Sequence, residues 1–266
     1  MKKTALIFLA VGIACAGGAI AAFGLGNQDA RADLPDSLRV GIHRSYKPFS
    51  YLDEAGVRRG FDHDMAHALC RKLDIRCTLV PLSFDSLLSS LKSGELDAVV
   101  AGLGATESRL ADFVFSNPYY STRSLFITND RTIGPVSEAD PRRLAIGVVA
   151  GTIQDHIIST YYEKTGATVV RYRTFDEQLE ALKRREVNAI FKQGLTGYAF
   201  LKSPQGRGFF IGGLHPEVDP NLTQARIAFR KDRAELVEHF DDALMQLKAC
   251  GKYQQISMQY LPYMSY

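Results

Sequence analysis

Phe84-Asp85-Ser86-Leu87-Leu88-Ser89-Ser90-Leu91-Lys92 runs into Ser93-Gly94-Glu95-Leu96-Asp97-Ala98-Val99-Val100, and the pattern returns later in the chain. Phe175-Asp176-Glu177-Gln178-Leu179-Glu180-Ala181-Leu182-Lys183 runs into Arg184-Arg185-Glu186-Val187-Asn188-Ala189-Ile190-Phe191, at a constant offset of 91 residues. Phe, Asp, Leu, Leu, Lys, Glu and Ala recur in register. Phe84, Leu87, Leu88 and Leu91 fall on one helical face, as do Phe175, Leu179 and Leu182. Two unrelated amphipathic helices have no reason to share the apolar strand that follows them. The repeat therefore predicts a related architecture in each half of the chain.

The flanking segments extend the pattern. Residues 38–42 read as a strand, and Phe61-Asp62-His63-Asp64 opens a helix carrying Met65, Leu69 and Leu73, with Asp62 or Asp64 placed to cap it. Residues 76–82 and 98–101 are the next strands. In the second half, 144–149 is a strand, Gly151-Thr152 a turn, 153–164 a helix and 168–172 a strand. Alternating strand and helix implies an α/β protein with mostly parallel sheets. The tail adds a strand at 224–229 and a helix with Leu236, Phe240, Leu244 and Leu247 on one face. It has no counterpart in the repeat, so it is expected to return to the first half. Two lobes would then be joined by two crossover strands, near 123–128 and 221–225. The expected division is 33–125 with 225–266 as lobe 1, and 126–224 as lobe 2. Parallel sheets bind ligands beyond the carboxyl ends of their strands, so the site is expected in the cleft between the lobes.

Lys2 and Lys3 precede an apolar stretch over 4–25, and Ala30-Arg31-Ala32 supplies a small-x-small cleavage pattern. This reads as a signal peptide cut after Ala32, with Ala21 as the weaker position and a retained anchor as the alternative. Lipidation at Cys15 is disfavoured because Gly12-Ile13-Ala14 lacks the expected Leu. The exported chain would be periplasmic. Losing three basic residues and one acidic residue reduces its net charge from +3 to +1. No basic field survives, which argues against nucleic acid as a partner. Hydrophobic residues at 46% and charged residues at 23% suit a soluble globular chain. Cys70 and Cys77 lie across one helix-to-strand turn, where they can close a short staple or stay as two buried thiols; spacing alone does not decide. Cys250 is left over as an ordinary buried residue. No metal-ligand cluster, phosphate loop or other cofactor motif stands out.

Five motifs in order carry a family resemblance: Tyr46-Lys47-Pro48-Phe49, Gly60-Phe61-Asp62-His63-Asp64, Leu91-Lys92-Ser93-Gly94-Glu95-Leu96-Asp97-Ala98, Thr106-Glu107-Ser108-Arg109 and Ser116-Asn117-Pro118-Tyr119-Tyr120. From about 38 to 261 the chain resembles the periplasmic solute-binding proteins for polar amino acids, which include lysine/arginine/ornithine, histidine and glutamine binders. The resemblance implies the two-lobed, two-crossover (type II) periplasmic binding fold. It implies a monomer that binds an amino acid or related carboxylate and serves the membrane permease of an ABC transporter. It also implies a Cys70–Cys77 disulfide. Arg109 matches the arginine that holds the ligand carboxylate, a task its planar fork of donors suits. Gly151 and Thr152 match the second-lobe turn that meets the same group, and a helix N-terminus there favours an anion. Tyr46 and Phe84 match rings flanking the ligand, and Ala101, Gly102 and Gly104 match the segment whose carbonyls approach it.

Three positions depart from the family. Gln193 stands where an acidic residue usually holds the α-ammonium, Gly104 where a Ser or Thr assists, and His43 where several members have an Asp. A buried ammonium needs an anion, which an amide does not supply. The expected ligand therefore depends on its carboxylate more than on its amine. Lys192, next to Gln193, is expected to point to solvent. Two other functions compete. Cyclohexadienyl dehydratases resemble residues 46–51 and 60–62, but their catalytic glutamate falls at Thr196 here, and 188–203 contain no Asp or Glu. A sensory receptor would use the same lobes and signal through a separate partner.

Overall fold

The alternation read from the first half appears as a sheet with helices on both faces. The computed structural model describes residues 34–261, apart from 122, 134, 137 and 215–218. The expected leader and its cleavage site lie outside the described residues. In chain order, β1 (Ser37–His43), β2 (Tyr51–Leu52), β3 (Arg58–Arg59), α1 (Phe61–Leu73), β4 (Arg76–Leu82), α2 (Phe84–Lys92), β5 (Ala98–Leu103), α3 (Glu107–Leu110), β6 (Phe113–Phe115) and β7 (Tyr120–Ser121) form the first part. The second part comprises β8 (Ser124–Thr128), β9 (Ala145–Val149), α4 (Ile153–Tyr161), β10 (Thr168–Tyr172), α5 (Phe175–Lys183), β11 (Ala189–Gln193), α6 (Gly194–Lys202) and β12 (Phe210–Leu214). The chain closes with α7 (Pro220–Thr223), β13 (Gln224–Arg230), α8 (Glu235–Ala249) and α9 (Lys252–Tyr260).

One sheet runs β4-β1-β5-β13-β6 with β7 paired to β13, the other β10-β9-β11-β8-β12. In each, three strands are parallel, β4-β1-β5 and β10-β9-β11, and the return strands pair antiparallel. The sheets are thus mixed where the sequence suggested mostly parallel ones, because the crossover strands β8 and β13 enter against the parallel set. Each sheet separates two apolar cores. Under α1, α8 and α9 lie Val40, Phe61, Leu69, Val100, Phe240 and Leu244, and on the opposite face Leu87, Leu91, Val99 and Ala101 pack beneath α2. The second sheet packs Ile146, Val148, Ile157 and Phe191 on one side and Leu179, Leu182 and Ile190 on the other. Burying each such side chain contributes about 1.5–3 kcal/mol.

The repeat is reproduced in atomic detail. After α2, Gly94 turns with φ 81, and 91 residues later Arg185 turns with φ 58. Both amides donate to the carbonyl three residues back, Leu91 and Leu182, at 3.2 Å. Asp97 and Asn188 then tie the following strands to their neighbours. The Asp97 carboxylate accepts the Arg39 N–H at 2.8 Å, and the Asn188 amide oxygen accepts the Ala145 N–H at 2.8 Å. Their own N–H groups donate to the carbonyls of the same two residues. This pair of reciprocal bonds sets the register of the middle strand of each lobe against its first strand.

Two expectations need correction. Neither Asp62 nor Asp64 caps α1: Gly60, at φ 131, begins the helix with no side-chain cap. A Cβ at Gly60 would strike the Phe49 carbonyl, so the entry admits only glycine. Asp62 lies within the helix and points into the core, where its Oδ1 accepts the Tyr119 hydroxyl at 2.7 Å. Burial pushes its carboxyl well above the usual range. The cysteines divide differently from expectation as well. Cys70–Cys77 is a disulfide, but Cys250 is not the lone thiol expected, since no cysteine of the described chain is free.

Candidate functional site

Arg109 occupies the single turn α3, entered through Thr106, whose Oγ1 accepts the Arg109 N–H at 3.3 Å. The side chain is 8% exposed. Its Nη1 donates to the Gly104 carbonyl and its Nη2 to the Gly151 carbonyl, both at 3.0 Å. Gly104 follows β5 of the first sheet and Gly151 precedes α4 on the second, so the guanidinium bridges the two lobes. It also sits 5.9 Å from the centre of the Phe84 ring. Among the described residues no carboxylate pairs with it. Burial lowers its pKa to about 10. A guanidinium has five N–H donors, and neutral carbonyls engage two of them here. The arrangement is a desolvated cation with donors to spare, which an anion would stabilise.

The surrounding small residues are explained by close packing. A Cβ at Gly104 would press on the Ile153 side chain at 2.7 Å and the Asn221 carbonyl at 3.0 Å, so this glycine lets the loop rest on α4. Gly102, at φ 63, donates its N–H to the Tyr119 hydroxyl at 2.9 Å. Ala101 is buried in the core beneath α2. Gly151, at φ 71, presents its carbonyl to Arg109 and donates its N–H to Asp155 at 3.0 Å. Thr152 caps α4: its hydroxyl accepts the Asp155 N–H at 3.2 Å and donates to the Val149 carbonyl at 2.7 Å.

A second group of polar residues meets across the lobes around Tyr46. The Tyr46 hydroxyl lies 3.3 Å from Thr196 Oγ1 on α6, a contact between residues 150 apart in sequence. Burial raises its pKa to about 12. The His43 ring lies 5.2 Å from that of Tyr46 and 6.2 Å from that of Phe84. His43 Nδ1 accepts the Ser45 N–H at 3.0 Å, which leaves the proton on Nε2. Burial, then the positive charge of Lys192, lowers its pKa to about 4. Gln193 is buried and committed to the protein. Its Oε1 accepts the Thr196 N–H at 3.0 Å, capping α6, and its Nε2 donates to the Tyr120 hydroxyl at 3.4 Å.

Lys192 does not point to solvent as the sequence suggested. It is 7% exposed, with its ammonium 3.9 Å from the Phe175 ring centre and 5.2 Å from that of Tyr46. All five residues of β11 are buried. A strand covered on both faces has no solvent side to offer. Desolvation holds the Lys192 pKa down to about 7. The structure therefore gathers Arg109, Phe84, Gly104 and Gly151 at one place and Tyr46, Gln193, His43 and Lys192 beside them, with His43 linking the two ring sets. Thr152 adjoins Gly151 with its hydroxyl engaged locally, whereas the Ala101 side chain belongs to the core. Tyr120 and Thr196 were not singled out as ligand-site residues: Tyr120 stood out only as a member of the Ser116–Tyr120 motif, and Thr196 only as the position where the dehydratase glutamate falls.

Two α/β lobes joined by two strands, with a buried arginine bridging their facing loops, define a binding protein of the interlobe-cleft class. Residues 38–263 match the family described as bacterial extracellular solute-binding proteins, family 3. The L-arginine-binding protein of Pseudomonas aeruginosa is 32% identical over 99% of this chain and 98% of its own. The lysine/arginine/ornithine-binding periplasmic protein of Escherichia coli is 29% identical over 100% and 99%. Among solved structures, an ancestral arginine-binding protein bound to arginine superposes with a TM-score of 0.75 at 29% identity, covering 85% of this chain and 99% of that one. The chain belongs to family 3 of the bacterial extracellular solute-binding proteins. Among the described residues no helix is long and apolar enough to cross a membrane.

Proposed function

We propose that this protein is the periplasmic receptor of an ABC-type uptake system, binding an amino acid or related small carboxylate between its lobes and presenting it, as a monomer, to the membrane permease. The observation that carries this reading is Arg109, a buried cation that faces both lobes and lacks an acidic partner among the described residues. The names of its relatives support it, since they are binding proteins for cationic amino acids and histidine, not enzymes. Sheet membership supports the division into 33–125 with 225–266, and 126–224, to within two residues, since β8 joins the second sheet from Ser124 and β13 the first from Gln224. In this reading the leader is cut after Ala32, and N-terminal sequencing of the exported protein should begin at Asp33. A mature chain that still carried Lys2 and Lys3 would refute the cut.

The decisive experiment is calorimetry with amino acids and related carboxylates on the wild type and on Arg109→Met. Removing one member of a buried charge pair weakens binding by about 2–5 kcal/mol. Equal affinity in both proteins would refute Arg109 as the carboxylate anchor.

A further inference from the structure

We propose that Lys192 supplies a second anion-binding point, on the lobe opposite Arg109, so that the solute is a small dicarboxylate rather than a zwitterionic amino acid. This rests on the reading of Arg109 as the first carboxylate anchor. Lys192 belongs to the second sheet, yet its ammonium lies between Phe175 of its own lobe and Tyr46 of the other. Among the described residues no hydrogen bond or ion pair reaches that ammonium.

The acids acting on this region are Asp176, toward Lys192, Asp85, toward His43, and Asp62, toward Tyr46. Asp176 and Asp85 are exposed at the starts of α5 and α2 and, solvated there, do little to neutralise a buried charge. Asp62 is buried, accepts the Tyr119 hydroxyl and is pushed well above the usual carboxylate range by burial, so it does not supply the missing anion. Arg44 and Arg58 add positive potential on the His43 side. Tyr46, the remaining titratable group beside the ammonium, spends its hydroxyl on Thr196. The Gln193 carbonyl oxygen is taken by the start of α6 and is not directed to a ligand amine.

The charge inventory is therefore two buried basic groups, and among the described residues no carboxylate is paired with either. An α-ammonium placed among them would be a further cation held by dipoles alone, whereas a second carboxylate would pair with Lys192. The Phe84, His43 and Tyr46 rings form a continuous row, with Arg109 over Phe84 at one end and Lys192 over Tyr46 at the other. Such a wall suits a short apolar chain between two anionic ends. Desolvation already holds Lys192 down to about 7, so an arriving carboxylate would recharge it, and binding above that pH takes up a proton.

The test is calorimetry of the purified protein at pH 8, in two buffers of different ionisation enthalpy. Malonate, succinate, glutarate and 2-oxoglutarate are compared with propionate, butyrate, L-alanine, L-glutamine and L-arginine. At least one dicarboxylate should bind about tenfold or more tightly than its monocarboxylate counterpart, taking up close to one proton. Lys192→Met should lower that affinity about tenfold or more and abolish the proton uptake, whereas a variant that keeps full dicarboxylate affinity or the proton uptake overturns the inference. Lys192→Gln makes the same comparison should the Met variant not fold. A wild type that binds L-arginine or L-glutamine and no dicarboxylate overturns this inference while leaving the amino-acid cleft intact. Unchanged binding in Arg109→Met overturns the cleft reading and this inference together.

Discussion

Replacing Lys192 with Met removes an ammonium from a strand covered on both sides and leaves a side chain of similar reach. An ordinary lysine titrates at 10.5 and this one at about 7. At about 1.4 kcal/mol per tenfold change, that gap corresponds to about 5 kcal/mol when the charge is present in both states. Local relaxation, and the attraction between the ammonium and its flanking rings, reduce the gain expected from substitution to about 2–4 kcal/mol. The pH dependence has a definite sign. Below pH 7 folded and unfolded chains both carry the proton, and the full destabilisation is present. Between 7 and 10.5 the unfolded chain keeps the proton that the folded chain has lost, so stability rises with pH. Above 10.5 neither form is charged and the contribution vanishes. Urea unfolding of wild type and variant should therefore show the variant more stable at pH 6, with the difference smaller by about 1–3 kcal/mol at pH 9. A variant no more stable than wild type at pH 6, or equally ahead at both pH values, would refute the burial of a charged lysine here.

Arg185→Gly should stabilise the protein by about 0.5–1 kcal/mol, because φ 58 strains any residue with a Cβ and the equivalent turn already uses Gly94. A lower melting temperature would contradict that turn. Asn188→Ala should destabilise by about 1–3 kcal/mol through loss of its bonds to Ala145 and Arg143. Asn188→Asp should recover part of the loss, since Asp97 performs the same task in the first lobe, and equal stability of both variants in urea would sink that parallel.

The duplicated helix and strand were legible because the repeat preserved both apolar periodicity and the residues that pin strand register. β4 and β10 coincide with the segments read from the sequence. What escaped was set by contacts with no local pattern. Tyr46 meets Thr196 and Arg109 meets Gly151 only because the chain folds two lobes face to face. Lys192 was misread because a lysine is ordinarily solvated, whereas a strand with cores on both sides offers it no solvent face. Asp62 resembled a cap in sequence, but the glycine before the helix fixed the entry and turned the acid inward. Gln193 was recognised as an odd residue at its position, while its use as a cap for α6 depended on backbone geometry that sequence does not carry.

The place of β13 between β5 and β6 has a consequence for the order in which the chain can fold during synthesis. All five strands of the second sheet precede β13, so that sheet has its full complement of partners first. The first sheet, though begun earlier, lacks an inner strand until residues 224–230 emerge, and α8 and α9, which share the covering of one face with α1, come later still. A chain released from its N-terminus thus presents a completed second half while its first half waits for the last segment. Long-range closure of this kind is slow, and it leaves the N-terminal half open until nearly the whole polypeptide has been delivered.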